Sequence, residues 1–399
     1  MSYMQRAVGL AQAAVGSTSP NPSVGAVLVK DGVEIGVGAT QPPGQDHAEI
    51  VALKQASDQA RGATLYTTLE PCCTWGRTPP CTQAIIAAGI TEVHFAIIDP
   101  NPNVSGKGRD ELVEAGITVV EEEAEGAGEL YEAFTKHIET QTPFVTVKYA
   151  MTLDGKIATH TGDSKWITGP EARGYVQAMR RVCDAILVGV NTALRDDPYL
   201  TARDDYGNPL ERQPLRVVLD SVGHTPVDSA MLVQPGSTLI ATTHAAPDVR
   251  LLALEQAGAE IVVVSSGEDQ RVDLKKLMTH LGARGVVNLL VEGGGSVHGA
   301  FFDAGLVDKI YAFVAPQIVG GETARSPVEG SGVAAMADSW ILARTRSEQI
   351  GPDWLIIGYP EKQPFDPSTY DEDASDEEPF GIEEPDEELD EEQARELDK

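Results

Sequence analysis

The sequence has 399 residues and a formal net charge of −31, and a chain of this length exceeds what one hydrophobic core usually supports, so two domains are expected. The acidity excludes a nucleic-acid-binding protein, because binding a polyanion depends on basic side chains that neutralise phosphates. The first residues carry no basic start followed by an apolar run, and no apolar stretch is long enough to cross a bilayer; these features exclude secreted and membrane classes and predict a cytoplasmic protein.

The first part of the chain predicts alternating helices and strands. An early helical period is broken by Pro20 and Pro22, and the pair Asp31-Gly32 is typical of a hairpin turn. The predicted helices cover residues 3–15, 47–56, 82–88, 110–114 and 126–140, and the predicted strands cover 24–30, 33–37, 64–68, 93–98 and 117–120. This alternation is typical of a layered α/β domain. Because Pro143 would stop the last helix, the first domain is expected to span residues 1–143.

A second alternating series follows and is no repeat of the first. Its predicted strands cover residues 144–149, 185–190, 216–220, 238–242, 260–264 and 286–291, and its helical stretches include 170–181, 272–281 and 297–304. A separate α/β domain over residues 144–360 is therefore expected.

The remaining segment, residues 361–399, has a different composition. It holds 18 Asp and Glu against 3 Lys and Arg, with few large apolar residues. Such a segment buries too little apolar surface to offset its chain entropy, so a disordered acidic tail is predicted. A solvated, solubilising segment is favoured over a docking or regulatory tail.

The strongest chemical signal is His47-Ala48-Glu49 followed by Cys72 and Cys81. Catalytic zinc usually takes three protein ligands and leaves a fourth position for water, and one imidazole with two thiolates is an accepted set. A structural zinc knuckle is the alternative, but it normally needs four ligands. Disulfides are a weaker interpretation of the four cysteines, because adjacent Cys72 and Cys73 do not form a spaced framework.

Glu49 is expected to move protons rather than to bind the metal. It lies two residues after His47, which suits a carboxylate that passes protons between water and a ring nitrogen. The combination of H-x-E with a later P-C and a further cysteine is typical of zinc nucleobase deaminases. The eight residues between Cys72 and Cys81 depart from the commoner C-x-x-C spacing. Asp46 is predicted to cap the helix that carries Glu49.

Four strings in this region resemble the deaminase half of the bifunctional riboflavin-biosynthesis deaminase/reductase family, whose N-terminal domain has a cytidine-deaminase-like α/β/α fold. They are Asn21-Pro22-Ser23-Val24-Gly25, His47-Ala48-Glu49, Glu70-Pro71-Cys72 with Gly76-Arg77-Thr78-Pro79-Pro80-Cys81, and Asp99-Pro100-Asn101-Pro102-Asn103 before Gly106-Lys107-Gly108. The long loop between the two cysteines distinguishes this family from cytidine and tRNA-adenosine deaminases.

The resemblance implies a role for each matched residue. His47, Cys72 and Cys81 would bind one zinc ion and Glu49 would be the catalytic proton shuttle. Further residues would bind the substrate: Asn21 and Asp99 the pyrimidine, and Arg77 the phosphate, for which a guanidinium offers a planar fork of donors. For Asp99, a turn-capping carboxylate is the alternative. Many relatives have histidine where this chain has Thr40 and Thr74, so substrate contacts at those two positions are left open.

The second domain contains a strand that ends in glycines and leads into a helix, at Val291-Glu292-Gly293-Gly294-Gly295-Ser296. Backbone amides at such a helix start can hold a phosphate, and a tight strand-to-helix connection is the alternative. It is not the G-x-G-x-x-G of a dinucleotide-binding unit.

The order of motifs over residues 146–359 resembles the reductase half of the same family, which is similar in fold to dihydrofolate reductase. The strings are Thr152-Leu153-Asp154-Gly155-Lys156, Ser164 to Thr168, Val188 to Thr192, Arg195 to Pro198 and Glu292-Gly293-Gly294. By resemblance, Ala150, Trp166, Thr192, Asp196, Gly294, Gly295, Ser296, Val297, His298, Gly299 and Ala300 would line the NADPH site. The substrate would be bound by Ser164, Arg180, Leu200, Arg203 and Glu292. For the arginines, a surface ion pair is the alternative.

The resemblance implies two successive reactions on one phosphorylated pyrimidine. The first is zinc-dependent hydrolytic deamination of 2,5-diamino-6-(5-phosphoribosylamino)pyrimidin-4-one, and the second is NADPH-dependent reduction of the ribosyl side chain to ribityl. The alternatives are a zinc nucleobase deaminase fused to a folate-type reductase, a nucleic-acid base editor, for which the charge is wrong, and a zinc-stabilised scaffold without activity. A homo-oligomer is expected by resemblance, and direct passage of the intermediate between the sites is left open.

Overall fold

The computed structural model describes residues 2–76, 79–267 and 269–362. Within these ranges the N-terminal part forms a five-stranded sheet. Its strands are β1 (Gly25–Lys30), β2 (Val33–Ala39), β3 (Thr64–Thr67), β4 (Glu92–Phe95) and β5 (Thr118–Glu121). They lie in the order β2-β1-β3-β4-β5, with β1 antiparallel to both neighbours and β3, β4 and β5 parallel. The predicted hairpin joins β1 to β2, where Asp31 and Gly32 both take a positive φ, as a two-residue turn of this kind requires.

Helices cover both faces of this sheet. They are α1 (Tyr3–Ala14), α2 (Ala48–Ala56), α3 (Cys81–Ala88), α4 (Lys107–Glu114) and α5 (Ala127–Thr140), with a 3-10 turn at Ser57–Ala60. Strand β1 is buried on both sides because Val27 packs with α1, whereas Leu28 belongs to the core beneath α2, α3 and α4. The predicted α/β/α layering of the N-terminal domain is confirmed.

A second sheet begins directly after α5, at Phe144. Its strands in the described part of the chain are β6 (Phe144–Thr152), β7 (Ala185–Gly189), β8 (Leu215–Leu219), β9 (Thr238–Thr242), β10 (Glu260–Val263), β11 (Asn288–Gly293), β12 (Lys309–Ala315), β13 (Ile341–Ile350) and β14 (Asp353–Glu361). Their order is β10-β9-β8-β7-β11-β6-β12-β14-β13. All neighbours are parallel except β12-β14 and β14-β13.

The helices of this second part connect the parallel strands. They are α6 (Pro170–Val182), α7 (Val190–Asp196), α8 (Ala230–Val233), α9 (Asp248–Gln256), α10 (Leu274–Ala283) and α11 (Gly295–Asp303). Helix α6 begins with Pro170, whose missing N–H costs nothing in a first helical turn. Its inner face packs through Tyr175 against Phe313 of β12 and through Met179 against Leu290 of β11. The central parallel strands, β11 and β6, are thereby covered on the side that carries the charged residues described below.

The predicted elements lie within a few residues of the observed ones, but helices α8 and α9 were not predicted, and there are three further differences. Val190 begins helix α7 instead of ending a strand. Asp46 does not cap α2: His47 occupies the N-cap, and the Asp46 carboxylate binds Lys54 instead. Strands β12, β13 and β14 were not predicted. Strand β13 is a polar, exposed edge strand and lacks the alternating pattern, but β12 and β14 are largely buried, so exposure does not account for them.

Residues 333–340 and 362 form a separate unit in the described chain. It contains a 3-10 turn at Met336–Asp338, and the Lys362 ammonium lies 4.9 Å from the Trp340 ring centroid. The greater part of the predicted acidic tail, from residue 363 onward, lies outside the described residues. Of the helices in the described ranges, none combines the length and the apolar character that crossing a bilayer requires.

Candidate active sites

The three predicted zinc ligands come together at the starts of two helices. His47 is the N-cap of α2, Cys81 is the first residue of α3, and Cys72 lies in the loop after β3. The His47 Nδ1 atom lies 3.6 Å from the Cys72 Sγ and 3.3 Å from the Cys81 Sγ, and all three ligand atoms fall within 4.8 Å of one another. One imidazole and two thiolates around a common point fit a zinc ion that keeps a fourth position open.

The pKa values of the two ligand cysteines are shifted in opposite directions. The hydrogen bond from Cys81 and the nearby His47 lower the pKa of Cys72 to about 4, against the opposing effect of burial. The same bond and burial raise the pKa of Cys81. Metal binding requires both thiols to lose their protons, so the site releases at least one proton when it loads. Cys73 is half-buried and is not part of this ligand cluster within the described residues.

Glu49 lies in the first turn of α2 and is 4% exposed. Burial, together with the negative charge of Cys72, raises the pKa of Glu49 to about 7. A carboxylate with a pKa near neutrality can both accept and return a proton at working pH. The structure therefore places a buried carboxyl group with a pKa near neutrality beside the ligand cluster.

A carboxylate that the sequence analysis did not single out shapes the loop after β4. Glu70, which is 2% exposed, accepts hydrogen bonds from the backbone N–H groups of Asp99 at 3.2 Å, Gly106 at 2.9 Å and Arg109 at 2.9 Å. Gly108 is required here, because a Cβ atom at this position would lie 2.1 Å from the Pro71 carbonyl oxygen. In the sequence, Glu70 stood out only as an acidic residue of the Glu70-Pro71-Cys72 string. Its hydrogen-bond partners lie 29 to 39 residues farther along the chain, so its role could not be predicted.

Asp99 lies at the start of this loop and is 6% exposed. Its Oδ1 accepts the Asn101 N–H at 2.8 Å, so the turn-capping alternative is also realised in the structure. Burial, with the charges of Glu70 and Cys72, raises the pKa of Asp99 to about 6. The charge of the ligand Cys72 therefore acts on the Asp99 carboxyl group.

Asn21 lies in the loop that leads into β1. It lines a cavity of about 580 Å³ between the first sheet and the second, together with Ser23 and Lys309. Thr40, one of the two positions whose substrate contacts the sequence left open, is buried and holds Val24: the Val24 N–H donates to its Oγ1 at 3.0 Å. Thr74, the other such position, is exposed. Arg77 lies outside the described residues.

In the second domain, Arg180 and Glu292 form a largely buried ion pair, with side-chain exposures of 16% and 8%. The Arg180 Nε lies 2.6 Å from the Glu292 Oε1, and its Nη2 lies 2.8 Å from Oε2. Lys148 of β6 approaches the same carboxylate at 4.0 Å. Burial alone would raise the pKa of Glu292, but the charge and hydrogen bonds of Arg180 outweigh it and lower the pKa to about 2. The two predicted substrate residues are thus brought together, and Lys148 is a third charge that the sequence analysis missed.

The ends of adjacent parallel strands bring most of the predicted cofactor residues to one edge of the sheet. Gly294 has a φ of 85° and precedes α11, so residues 294–300 form the strand-to-helix turn and the first turns of that helix. Thr192, after β7, donates to the Gly293 carbonyl at 3.5 Å. A Cβ atom on Gly299 would lie 1.9 Å from the Glu329 carbonyl, so this glycine lets the following loop approach the helix.

The polar side chains of α11 are already engaged by that loop. Ser296 donates to the Glu329 carboxylate at 2.6 Å, and the His298 Nδ1 lies 2.8 Å from the Pro327 carbonyl. His298 is buried, and burial lowers its pKa to about 4, so it is neutral at working pH. Val297 packs beside Gly189, at the end of β7.

The remaining predicted residues lie on loops at this edge. Trp166 is 68% exposed, with the Arg173 guanidinium 4.5 Å from its ring centroid. The Ser164 hydroxyl lies 3.5 Å from the Asp196 carboxylate. Ala150 is near the end of β6 and is partly buried against the core that contains Phe313.

Leu200 and Arg203 belong to the loop after α7. Leu200 is buried and has a positive φ of 51°. The Arg203 Nε donates to the Thr201 hydroxyl at 2.9 Å, and its guanidinium lies 4.9 Å from the Tyr199 ring centroid. The structure therefore joins Arg180 to Glu292, whereas the contacts of Arg203 are with its own loop.

Comparisons with known proteins match both halves of the chain. Residues 143–356 match the family described as RibD C-terminal domain. Residues 1–97 match the family described as cytidine and deoxycytidylate deaminase zinc-binding region. The curated riboflavin biosynthesis protein RibD of Actinobacillus pleuropneumoniae is 40% identical over 363 residues, which cover 89% of this chain and 94% of that protein.

Two solved structures are similar over most of the chain. RibD of Acinetobacter baumannii gives a TM-score of 0.80 at 36% identity, covering 90% of this chain and 98% of the other. A Thermotoga maritima protein gives a TM-score of 0.77 at 34% identity, with the same coverage, and is described as a diaminohydroxyphosphoribosylaminopyrimidine deaminase/5-amino-6-(5-phosphoribosylamino)uracil reductase. The predicted pairing of a deaminase-like with a reductase-like domain is confirmed.

Proposed function

The chain belongs to the RibD family of riboflavin-biosynthesis proteins, and from this membership we propose which of its residues carry the family's two reactions. The protein is a bifunctional enzyme: a zinc-dependent deaminase is followed by an NADPH-dependent reductase, and the substrate is a phosphorylated pyrimidine. The observation that carries the deaminase assignment is the His47, Cys72 and Cys81 cluster beside the buried Glu49.

In the deaminase site, His47, Cys72 and Cys81 would hold zinc, which when bound would make water a nucleophile at neutral pH. Hydrolytic deamination replaces the amino group by oxygen from water and releases ammonia. Glu49 takes one proton from the water and passes it to the ring nitrogen, then takes the proton left on the added hydroxyl and passes it to the departing amine, a role that its pKa of about 7 supports.

The pyrimidine would be held by Asn21 and Asp99. Asn21 offers an amide and Asp99 a buried carboxyl group, which together can pair with the edge of an aminopyrimidine. Arg77, from the loop between the two cysteines, grips the substrate phosphate. The Thr40 hydroxyl accepts a hydrogen bond from the backbone of Val24 in the Asn21 loop, so we assign it to holding this loop and not to contacting the substrate.

In the reductase site, the residues at the C-terminal edge of β6, β7 and β11 would hold NADPH, which when bound would supply the hydride that the sugar carbon gains. The bond from that carbon to the ring oxygen breaks, and the oxygen must gain a proton. We assign Lys148 as the proton donor, because burial lowers its pKa and its ammonium lies 4.0 Å from the Glu292 carboxylate. Arg180 orients Glu292, and Arg203 binds the phosphate.

The remaining predicted residues keep their proposed roles at this edge. Ser164, Leu200 and Glu292 contact the substrate. The cofactor site comprises Ala150, Trp166, Thr192, Asp196, Gly294, Gly295, Ser296, Val297, His298, Gly299 and Ala300. Since Ser296 and His298 are engaged by residues 327–329, binding of NADPH is expected to shift that loop.

The function is tested by following both products in one reaction. With zinc-loaded enzyme and the diamino substrate, ammonia should be released first, and NADPH absorbance should then fall by one equivalent of the deaminated product. Dihydrofolate serves as the competing reductase substrate and should leave NADPH unchanged. Oxidation of NADPH with dihydrofolate but not with the deaminated pyrimidine phosphate would contradict the assignment.

We also propose domain boundaries at residues 1–143 and 144–360, cytoplasmic action and a homo-oligomeric state. The boundaries are supported by the division of the strands between two sheets, and a reducing compartment suits the free thiols. Strand β13 lies at the edge of the larger sheet with residues 344–349 exposed, where a second copy can add. Light scattering should give a multiple of the 42.5 kDa chain mass; a single-chain mass would contradict the oligomer.

A further inference from the structure

Tyr131 of α5 takes part in a directed chain of hydrogen bonds. It is 1% exposed, and its hydroxyl donates to the Ser23 carbonyl at 3.1 Å while lying 2.6 Å from the Thr68 Oγ1. The phenol has one proton and the Ser23 carbonyl can only accept, so the Thr68 hydroxyl must donate to Tyr131. The Gly25 N–H in turn donates to the Thr68 Oγ1 at 3.0 Å. The chain therefore runs from Gly25 through Thr68 and Tyr131 to Ser23.

These bonds fix the segment that follows Asn21. Between Ser23 and Gly25, the N–H of Val24 donates to the Thr40 hydroxyl at 3.0 Å and its carbonyl accepts the Thr40 N–H at 2.9 Å. The backbone of three consecutive residues is thus bonded to three different elements of the domain. Because Asn21 lies only two residues before Ser23, its position depends on this anchorage.

Tyr131 also lies near the reacting groups of the deaminase. Burial raises the pKa of Tyr131, and the negative charges of Glu49 and Asp99 raise it further. The phenol therefore stays protonated and remains a donor throughout the working pH range. Thr68, the hydrogen-bond partner of Tyr131, is four residues before the ligand Cys72.

The same helix binds the reductase domain. One residue after Tyr131, Glu132 lies 2.7 Å from the ammonium of Lys309, which is 3% exposed at the start of β12. Glu129, on the turn before, lies 3.4 Å from the same ammonium. The Tyr359 hydroxyl of β14 donates to Glu132 at 2.6 Å. Helix α5 therefore carries, within one turn, both the Tyr131 anchor and the contacts with the second sheet.

We propose that Tyr131 is a positioning residue of the deaminase, which holds the Asn21 segment for the pyrimidine, and that Lys309 of the reductase domain sets its placement through α5. This inference rests on the proposed role of Asn21. Removal of the phenol hydroxyl leaves the Ser23 carbonyl and the Thr68 hydroxyl without their partner, so the segment relaxes while the zinc ligands stay in place.

The first test is Tyr131→Phe in the full, zinc-loaded chain. We expect the KM of deamination to rise about tenfold, because one buried polar group left without its partner has an effect of about this size. The kcat should change by no more than about threefold. Zinc content and NADPH oxidation with the deaminated substrate should equal those of the wild type. Tyr66→Phe, which alters a ring packed against Tyr3 and His94 in the same domain, is the matched control and should leave deamination unchanged.

Asn21→Ala distinguishes the inference from the proposed function. If Asn21→Ala raises the KM and Tyr131→Phe does not, the positioning role of Tyr131 is wrong and the function stands. If neither variant changes the KM, the role of Asn21 is wrong and the inference falls with it. Loss of zinc or an equal loss of both activities in Tyr131→Phe would show a general structural role and overturn the proposal.

The second test addresses the link to the reductase domain. Lys309→Met should raise the KM of deamination by about threefold to tenfold. Lys309→Arg keeps the positive charge and should give a KM close to that of the wild type. Tyr359→Phe removes a bond to Glu132 without leaving a charge unpaired, so it gives a smaller rise in a chain that still folds. Lys276→Met, at an exposed pair with Asp273, is the control. The link would be overturned if Lys309→Met, Lys309→Arg and Tyr359→Phe all kept the wild-type KM of deamination. If Lys309→Met does not fold, an unchanged KM in Tyr359→Phe is enough to overturn it.

Discussion

Glu49→Gln should abolish ammonia release while the chain keeps its zinc. The substitution preserves the shape of a side chain that is 4% exposed but removes the group that accepts and returns protons. General acid–base catalysis contributes about 10² to 10⁴ to a rate, so a loss of deamination near the upper end of that range is expected. The measurement is ammonia production per zinc-loaded chain under saturating substrate.

Two comparisons make this result specific to proton transfer. Cys81→Ser should lose zinc and deamination together, because the hydroxyl is a poor replacement for a thiolate ligand. Both variants should still oxidise NADPH when they are given the deaminated substrate. Wild-type ammonia release by Glu49→Gln would mean that another group moves the proton.

The second large effect is expected from Arg180→Met. The substitution leaves the Glu292 carboxylate buried with only Lys148, at 4.0 Å, as a charged neighbour. Breaking a buried ion pair on one side typically costs about 3–5 kcal/mol of the free energy of unfolding. Reductase kcat/KM should fall by about 10²-fold, since Glu292 is no longer oriented. Urea unfolding and NADPH oxidation measure the two effects, and ammonia release should be unchanged.

The controls separate stability from catalysis. Arg284→Met breaks an ion pair with Glu260 at 2.8 Å, but both side chains are partly exposed, so a loss within about 1 kcal/mol is expected. The double variant Arg180→Met with Glu292→Gln removes both buried charges and should recover much of the stability without recovering reduction. Full reductase activity in the double variant would contradict a role for this pair in the reaction.

The zinc site could be predicted from sequence because its signal is local and chemical. His47 and Glu49 are fixed relative to one another by two residues of chain at a helix start, and Cys81 begins the next helix. Thiolate and imidazole ligands occur in few other contexts at such spacing. The alternation of helices and strands was equally readable, because burial on a parallel sheet selects continuous β-branched runs.

The partners of buried charges could not be predicted in this way. Arg180 and Glu292 were each assigned to the substrate by resemblance, yet they bind one another across 112 residues of sequence. The sheet order places β11 between β7 and β6, and only that order brings α6 and β11 together. Glu70, Lys148 and Tyr131 were missed for the same reason, since each gains its role from distant neighbours.

The sequence by itself therefore determined the chemistry of the deaminase, the α/β class of both domains and their order along the chain. Ligand type and helix periodicity are properties of a few neighbouring residues, so they can be read without knowing the fold. Only the tertiary structure decided that α5 contacts both domains and that Arg180 is paired with Glu292. Those contacts depend on which strands become neighbours, and strand order is set by the packing of the whole chain.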